Sequence, residues 1–206
     1  MSLEKFIRLV EEKKYIVISK IIWDIKSVYF GDNFNQNIDG LIFPDEIESI
    51  CFSRNFNQSL DNVIFPKNLK KIYFGGEYNL PVDKIKLPDS VYLIAFYSKF
   101  NQSLEKLKFP KDLHTLELGL EFNQSLDLDF PENFSTIKIC NTSNDITVNN
   151  LPKNLKNLYI GNLTKPLINL PIGLKFISIW DLNKDNLKKS KIPFDTKIVV
   201  EEMEEW

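Results

Sequence analysis

Apolar and polar positions along this chain follow a long, fixed rhythm. An apolar residue stands before proline at Phe43-Pro44, Phe65-Pro66, Leu87-Pro88, Phe109-Pro110, Phe130-Pro131, Leu151-Pro152, Leu170-Pro171 and Ile192-Pro193. Counted from each proline, apolar residues recur at offsets +3, +6 and +8, as in Ile47, Ile50, Phe52 and Leu69, Ile72, Phe74. Ile25, Val28 and Phe30 continue the series one unit earlier without a proline. Offsets +6 and +8 alternate, so that segment predicts a strand with both residues turned inward. Proline lacks a donor and belongs at the corner before the strand. An aromatic follows at +12 (Phe34, Phe56, Tyr78, Phe100, Phe122), spaced by 22 residues each time. More apolar positions fall at +16 and near +19, such as Leu60 and Val63. A constant period of this length predicts a solenoid. Its rungs of about 22 residues leave no room for a long helix, so extended, polyproline-like or short-turn structure is expected opposite the strand.

The aromatic at +12 opens a tetrapeptide: Phe-Asn-Gln-Asn at 34–37, Phe-Asn-Gln-Ser at 56–59, 100–103 and 122–125, and Tyr-Asn-Leu-Pro at 78–81. Asn35, Asn57, Asn79, Asn101 and Asn123 should therefore stack one per rung. Their amides both donate and accept, so they form a structural ladder for backbone groups at the turn.

The chain resembles FNIP-repeat proteins, a leucine-rich-repeat variant of giant DNA viruses and social amoebae. Tyr78-Asn79-Leu80-Pro81 is similar to the family motif Phe-Asn-Ile-Pro; the other copies end in serine or asparagine. The resemblance covers about residues 21–200, although the rungs after Pro131 and Pro152 lack the Phe-Asn pair. It implies a leucine-rich-repeat-like solenoid with a parallel β-sheet on its concave face. Many viral relatives carry an N-terminal F-box. The roughly 20 residues before the first rung, without a Leu-Pro start, imply a repeat module lacking that ligase-recruiting part. Leu-Pro-x-x-Leu-x-x-Leu around Leu151–Leu158 is also similar to bacterial effector repeats, whose ligases need a further cysteine domain.

Three segments are expected. Residues 1–20 form a cap, with a helix near 3–13 and a short strand at Tyr15–Ile18, since Leu3, Phe6, Ile7 and Val10 share one helical face. Residues 21–195 form the solenoid. Residues 196–206 form a last strand, Lys197–Glu201, and an acidic tail that blunts the edge.

Charge narrows the function. The 26 basic and 28 acidic residues are interspersed, so nucleic acid and acidic membranes are excluded as first partners. No segment reaches the roughly 18 apolar residues of a membrane span, and no signal peptide opens the chain. An intracellular protein is expected, in the host cytoplasm if the source is viral. The six Asn-x-Ser/Thr matches are then accidental. Cys51 and Cys140, read as strand residues four rungs apart, would lie roughly 19 Å apart and remain free thiols.

Catalytic chemistry has little support. His114 is the single histidine and has no clustered cysteine or carboxylate in sequence. Cys51 has no histidine in its rung. No cofactor or metal is expected. Glu117 and Lys138 predict a cross-strand ion pair. The outward strand positions are more suggestive. The +7 column reads Tyr29, Cys51, Tyr73, Ala95, Glu117, Lys138, Tyr159, Ser178 and Val200; the flanking columns add Tyr97, Phe176 and Trp180. Aromatics on a rigid face favour protein binding, and they equally serve as cross-strand pairs stabilising a sheet. The leading expectation is a non-enzymatic protein-interaction module, monomeric or weakly self-associating. Its unidentified protein partner is held on a face centred on Tyr29, Tyr73 and Tyr97, with a second cluster at Tyr159, Phe176 and Trp180. The viral resemblance makes it a virus–host adaptor. The alternative is a structural, self-associating repeat protein.

Overall fold

A computed structural model describes residues 26–31, 33–140, 151–181 and 184–200. The expected cap over residues 1–20 and the acidic tail after 200 lie outside the described residues.

Nine strands run in chain order through one parallel sheet: β1 (Ser27–Tyr29), β2 (Ser49–Cys51), β3 (Lys71–Phe74), β4 (Leu93–Phe96), β5 (Thr115–Leu118), β6 (Thr136–Ile139), β7 (Asn157–Asn162), β8 (Phe176–Asp181) and β9 (Lys197–Val200). Each strand pairs with the next rung's equivalent, for example Ile50 with Ile72 and Ile72 with Ile94. The chain is thus a solenoid, and its strand positions match the proline-based count through β8.

In the rungs that begin at Pro44, Pro66 and Pro88, three β-turns complete the coil, which is why no long helix is needed. The proline carbonyl accepts from the +3 amide (Leu69 N–H to Pro66 O, 3.0 Å). The +9 carbonyl accepts from the +12 amide (Tyr78 N–H to Gly75 O, 3.1 Å), and the +16 carbonyl from +19 (Ile85 N–H to Val82 O, 3.2 Å). Each turn places its last residue inward. Ile47, Leu69, Val91 and Leu113 at +3 are wholly buried, as are Phe56, Tyr78, Phe100 and Phe122 at +12. The strand residues Ile72 and Phe74 complete the same core.

The +12 rings form a continuous column. Phe34–Phe56, Phe56–Tyr78, Tyr78–Phe100 and Phe100–Phe122 stack with centroids 6.0, 6.2, 6.3 and 6.2 Å apart. Tyr78 is the outlier. Its hydroxyl is buried without a hydrogen-bond partner, and burial pushes its pKa well above the usual phenol range. A buried orphan hydroxyl costs roughly 1–3 kcal/mol. Replacing Tyr78 by Phe, the residue of the neighbouring rungs, should therefore stabilise the protein by about 1–2 kcal/mol, or a few degrees in Tm. Thermal unfolding of Tyr78→Phe checks this. An unchanged or lower Tm would mean that the hydroxyl has found a partner, such as an internal water.

On the far side of that turn, the asparagines are linked rung to rung. Asn35 Oδ1 accepts from Asn57 N–H (2.9 Å), Asn57 from Asn79 (3.0 Å), Asn79 from Asn101 (2.9 Å) and Asn101 from Asn123 (2.9 Å). The ladder runs along the surface, not in the interior: Asn35, Asn57, Asn79 and Asn123 are exposed. Glutamine has a part that the sequence reading missed. Gln58, Gln102 and Gln124 each donate to the asparagine oxygen of the preceding rung, at 3.0, 3.0 and 2.9 Å. The fourth tetrapeptide position is a turn residue in each case. Ser59, Ser103 and Ser125 accept through Oγ from the amide two residues on, and Asn37 does so through Oδ1. Serine and asparagine thereby take the turn role that proline has at Pro81.

The structure corrects two expectations and adds one element. In the last rung Ser178 pairs with Val199, not Val200, because β9 begins one residue earlier relative to its proline. Val200 therefore belongs with the inward column opposite Ile179, and it is half exposed because no described rung covers it. Cys140 lies one residue beyond β6, and both cysteines are free. A short helix, α1 (Lys184–Lys189), interrupts the coil between β8 and β9 and has no buried residue. Its polar sequence gave no apolar period to read.

A second periodicity spans two rungs. The +9 column reads Gly31, Ser53, Gly75, Tyr97, Gly119, Cys140, Gly161 and Trp180, with glycine in every other place. A Cβ on Gly75 would land on the Ser53 carbonyl oxygen, and one on Gly119 would meet the Tyr97 carbonyl. At Gly161 the nearest atom, the Cys140 carbonyl oxygen, is 3.0 Å away. The +7 column is complementary. Tyr29, Tyr73, Glu117 and Tyr159 accompany the glycines, while Cys51, Ala95 and Ser178 accompany the larger +9 residues. Bulk thus alternates between the two columns, except that Lys138 accompanies Cys140.

Candidate functional site

The concave face is the outward side of the sheet, and the two-rung alternation decides what it displays. Tyr29 on β1 is 51% exposed, and Tyr97, just past β4, is 42% exposed. Tyr73 on β3 is half-buried and stacks on Tyr97 at 6.5 Å, nearly parallel. Ala95 sits in the +7 column one rung beyond Tyr73 and is wholly covered. The +7 column is therefore not uniformly open, as its position had suggested: Ala95 and Ser178 are both buried.

An open groove of about 810 Å³ runs along the N-terminal half of this face, lined by Tyr29, Tyr73, Tyr92 and Tyr97 among others. Polar groups frame it. Glu48 accepts from Lys26 at 3.2 Å and from Lys70 at 2.8 Å, and these two lysines hold its carboxyl below the ordinary range. The Lys71 ammonium lies 5.7 Å from the Tyr92 ring centre. Burial raises the Tyr73 phenol, and it pushes Tyr97 up to about 12. Both therefore remain hydroxyl donors at neutral pH.

A second aromatic cluster lies four rungs on. Tyr159 meets Phe176 at 5.4 Å in a tilted arrangement, and Lys138 lies over the Tyr159 ring at 5.5 Å. Lys138 also pairs with Glu117 across adjacent strands at 2.8 Å, as the sequence predicts. This ion pair separates the two aromatic groups. Trp180 follows Phe176 on β8 and is partly buried. The six aromatic residues singled out from sequence lie on one face in two groups, Tyr29, Tyr73 and Tyr97 toward the first strands and Tyr159, Phe176 and Trp180 toward the last. Tyr92 was missed. Its +4 offset is just before the strand, where no aromatic recurs in the other rungs.

The remaining reactive groups have structural surroundings. His114 Nε2 lies 2.8 Å from Ser135 Oγ, and its Nδ1 lies 3.1 Å from Thr115 Oγ1. Among the described residues no carboxylate hydrogen-bonds to the ring, and Ser135 is buried, so the histidine bridges two rungs. Burial raises both Cys51 and Cys140, the opposite of what a nucleophilic thiol needs. Among the described residues, no group of three His, Cys, Asp or Glu is placed to hold a metal. Among them also, no helix is long and apolar enough to cross a membrane.

A parallel one-sheet coil with turns in place of helices is a leucine-rich-repeat-type solenoid, a fold generally used for protein–protein interaction. Comparison with known proteins agrees. Residues 56–99 and 100–141 each match the FNIP Repeat family, and each match spans about two rungs, the length of the glycine alternation. The chain thus carries FNIP repeats over residues 56–141. It is similar in structure to CroV588 of a giant virus, described as a novel circular LRR protein, with a TM-score of 0.70 and 30% identity over 85% of this chain. The chain spans about a quarter of that protein's length, matching 27% of it. No curated protein matches the sequence.

Proposed function

We propose that this protein is a non-enzymatic interaction module that holds a protein partner on its concave face, chiefly at Tyr29, Tyr73 and Tyr97. The observation that carries this reading is the exposure of Tyr29 and Tyr97 beside an open groove, on a sheet whose geometry is fixed by paired rungs. Large amphipathic rings on a rigid surface lose little entropy on binding and dominate binding energetics. Tyr159, Phe176 and Trp180 form a second contact on the same reading. The similarity to a giant-virus protein makes a host protein the first partner to test, in an adaptor role.

The test is affinity capture from amoebal lysate with two baits, the native protein and Tyr29→Ala/Tyr97→Ala. Both residues are exposed, so the variant should keep the native Tm within about 2 °C. A partner enriched on the native bait and lost on the variant supports the concave face. Identical partner lists would remove it.

A second reading, self-association, has its own observation. The residue after each corner proline alternates in charge through Asp45, Lys67, Asp89, Lys111, Glu132 and Lys153, with pairs such as Asp45–Lys67 at 2.6 Å. The next two rungs replace charge with Ile172 and Phe194, which are 94% and 101% exposed. Apolar side chains this open suit a contact surface. Light scattering across a concentration series separates the readings: a mass that rises with concentration and is the same for the Tyr29→Ala/Tyr97→Ala variant favours self-association.

A further inference from the structure

We infer that the N-terminal half of the concave face, centred on Lys71, receives carboxylate side chains from an acidic, extended segment of a protein partner. This inference rests on the concave-face reading and names the chemistry of what binds there.

The argument is one of unmatched charge. Lys26, Glu48 and Lys70 occupy equivalent places on three successive rungs, and Glu48 is shared by the two lysines. Its negative charge is therefore already engaged. Lys71 is the next residue, at the start of β3, and Tyr29, Tyr73 and Tyr92 lie in its electrostatic neighbourhood. No carboxylate lies within ion-pair distance of Lys71 among the described residues. The charged residues of the groove lining are Lys26, Lys70 and Lys71 on one side of the balance and Glu48 and Asp112 on the other. The other polar lining groups are mainly hydroxyls of tyrosine and serine.

Titration keeps the surface in donor form. The Tyr92 phenol, the largest influence on Lys71, holds its ammonium above the ordinary lysine range, and burial holds Tyr73 and Tyr97 as neutral phenols. A groove that offers O–H and N–H donors around a cation with no carboxylate partner among the described residues suits an acceptor-rich anion. Apolar ring faces beside the ammonium strengthen its field at short range. The groove is long and open, about 810 Å³, which fits an extended chain laid across rungs better than an enclosed small molecule. The other aromatic cluster differs. Its nearest cation, Lys138, is already paired with Glu117.

Fluorescence anisotropy with fluorescein-labelled hexaglutamate and hexalysine tests the inference on the full chain. Hexaglutamate should bind, weaken with added salt, and lose about tenfold in affinity with Lys71→Met. Lys71→Arg should retain binding, and Lys106→Met, away from the groove, should leave it unchanged. Thermal melts verify that each variant is folded. Equal binding of the two peptides, absence of hexaglutamate binding, or no loss with folded Lys71→Met would overturn the proposal. Displacement of hexaglutamate by inorganic phosphate at low occupancy of charge would reassign the site to phosphate and overturn the protein source. In the lysate experiment, a partner lost with Tyr29→Ala/Tyr97→Ala but kept with Lys71→Met would leave the concave face standing and remove the acidic segment.

Discussion

Alanine at Gly75 or Gly119 should lower the unfolding free energy by about 3 kcal/mol, or roughly 6–12 °C in Tm, as an overpacked site that only backbone can relieve. Neither glycine is required by its own dihedrals, since the only positive-φ glycine among the described residues is Gly40. Distance is the cause. The added methyl at Gly75 would meet the Ser53 carbonyl, and at Gly119 the Tyr97 carbonyl and the Ser98 amide. A carbonyl held in the coil cannot swing aside as a side chain can, so the rungs must separate locally. Two glycines act as internal controls. At Gly76 the nearest atom is Arg54 Cγ at 3.3 Å, part of a flexible side chain. At Gly173 the nearest is the Lys153 carbonyl oxygen at 3.9 Å, an ordinary contact. Alanine at either should change stability by less than about 1 kcal/mol, because added bulk is tolerated and the unfolded chain loses entropy. Urea unfolding of the four variants decides the matter. Similar stabilities for Gly75→Ala and Gly76→Ala would show that the rungs have slack and that the glycine alternation has another origin.

The consequence reaches the concave face. The Tyr97 carbonyl that Gly119 approaches belongs to the residue whose ring stacks on Tyr73. Spreading the rungs there would tilt Tyr97 away from its partner ring. A weakened partner interaction in Gly119→Ala, with Tyr97 itself intact, is therefore consistent with a binding surface set by backbone spacing.

Much of this was legible in the sequence because the coil is local and repetitive. One rung predicts the next, and the +3, +6, +8 and +12 apolar positions each answer to a turn or strand that the same rung contains. What escaped reading depended on relations between rungs. The alternation of Gly75, Tyr97, Gly119 and Cys140 has twice the period of the Phe-Asn and proline signals, so a count keyed to those signals averages over it. The burial of Ala95 follows from the bulk displayed by neighbouring rungs, not from its own strand phase. The Val199 register could not be obtained from proline spacing, because the segment from Pro193 to β9 is one residue shorter than the rule. Helix α1 has a single apolar residue, Leu187, and left no periodic mark. For the candidate site, Tyr29, Tyr73 and Tyr97 were identifiable as outward aromatics. Lys71 was not, because its significance lies in Glu48 already being engaged by Lys26 and Lys70, a fact of side-chain geometry across three rungs.

Phe100→Ala should cost about 4 kcal/mol, in the range for deleting a wholly buried phenylalanine. Its ring lies 3.8 Å from Phe96 and 6.3 and 6.2 Å from Tyr78 and Phe122, so it joins the strand to the central column on both sides. The nature of the transition should also change. A solenoid is stabilised mainly by contacts between adjacent rungs, and cooperativity spreads along that chain of interfaces. A cavity in the middle weakens two interfaces at once and should let the two ends unfold at different denaturant concentrations. Far-UV circular dichroism and tryptophan fluorescence should then give transitions that no longer coincide. Phe34→Ala, at the described start of the column, should cost less and leave the transition single, because Phe34 is 9% exposed whereas Phe100 is wholly buried. A single coincident transition for Phe100→Ala, with a loss below about 1.5 kcal/mol, would mean that the core collapses around the gap and that the column contributes less than its packing suggests. The turn that closes on Phe100 also starts from the Tyr97 carbonyl, at 3.2 Å from the Phe100 amide. Loss of the ring inside the coil therefore loosens the exposed tyrosine outside it, and binding should decline in Phe100→Ala at temperatures where the sheet signal is still native.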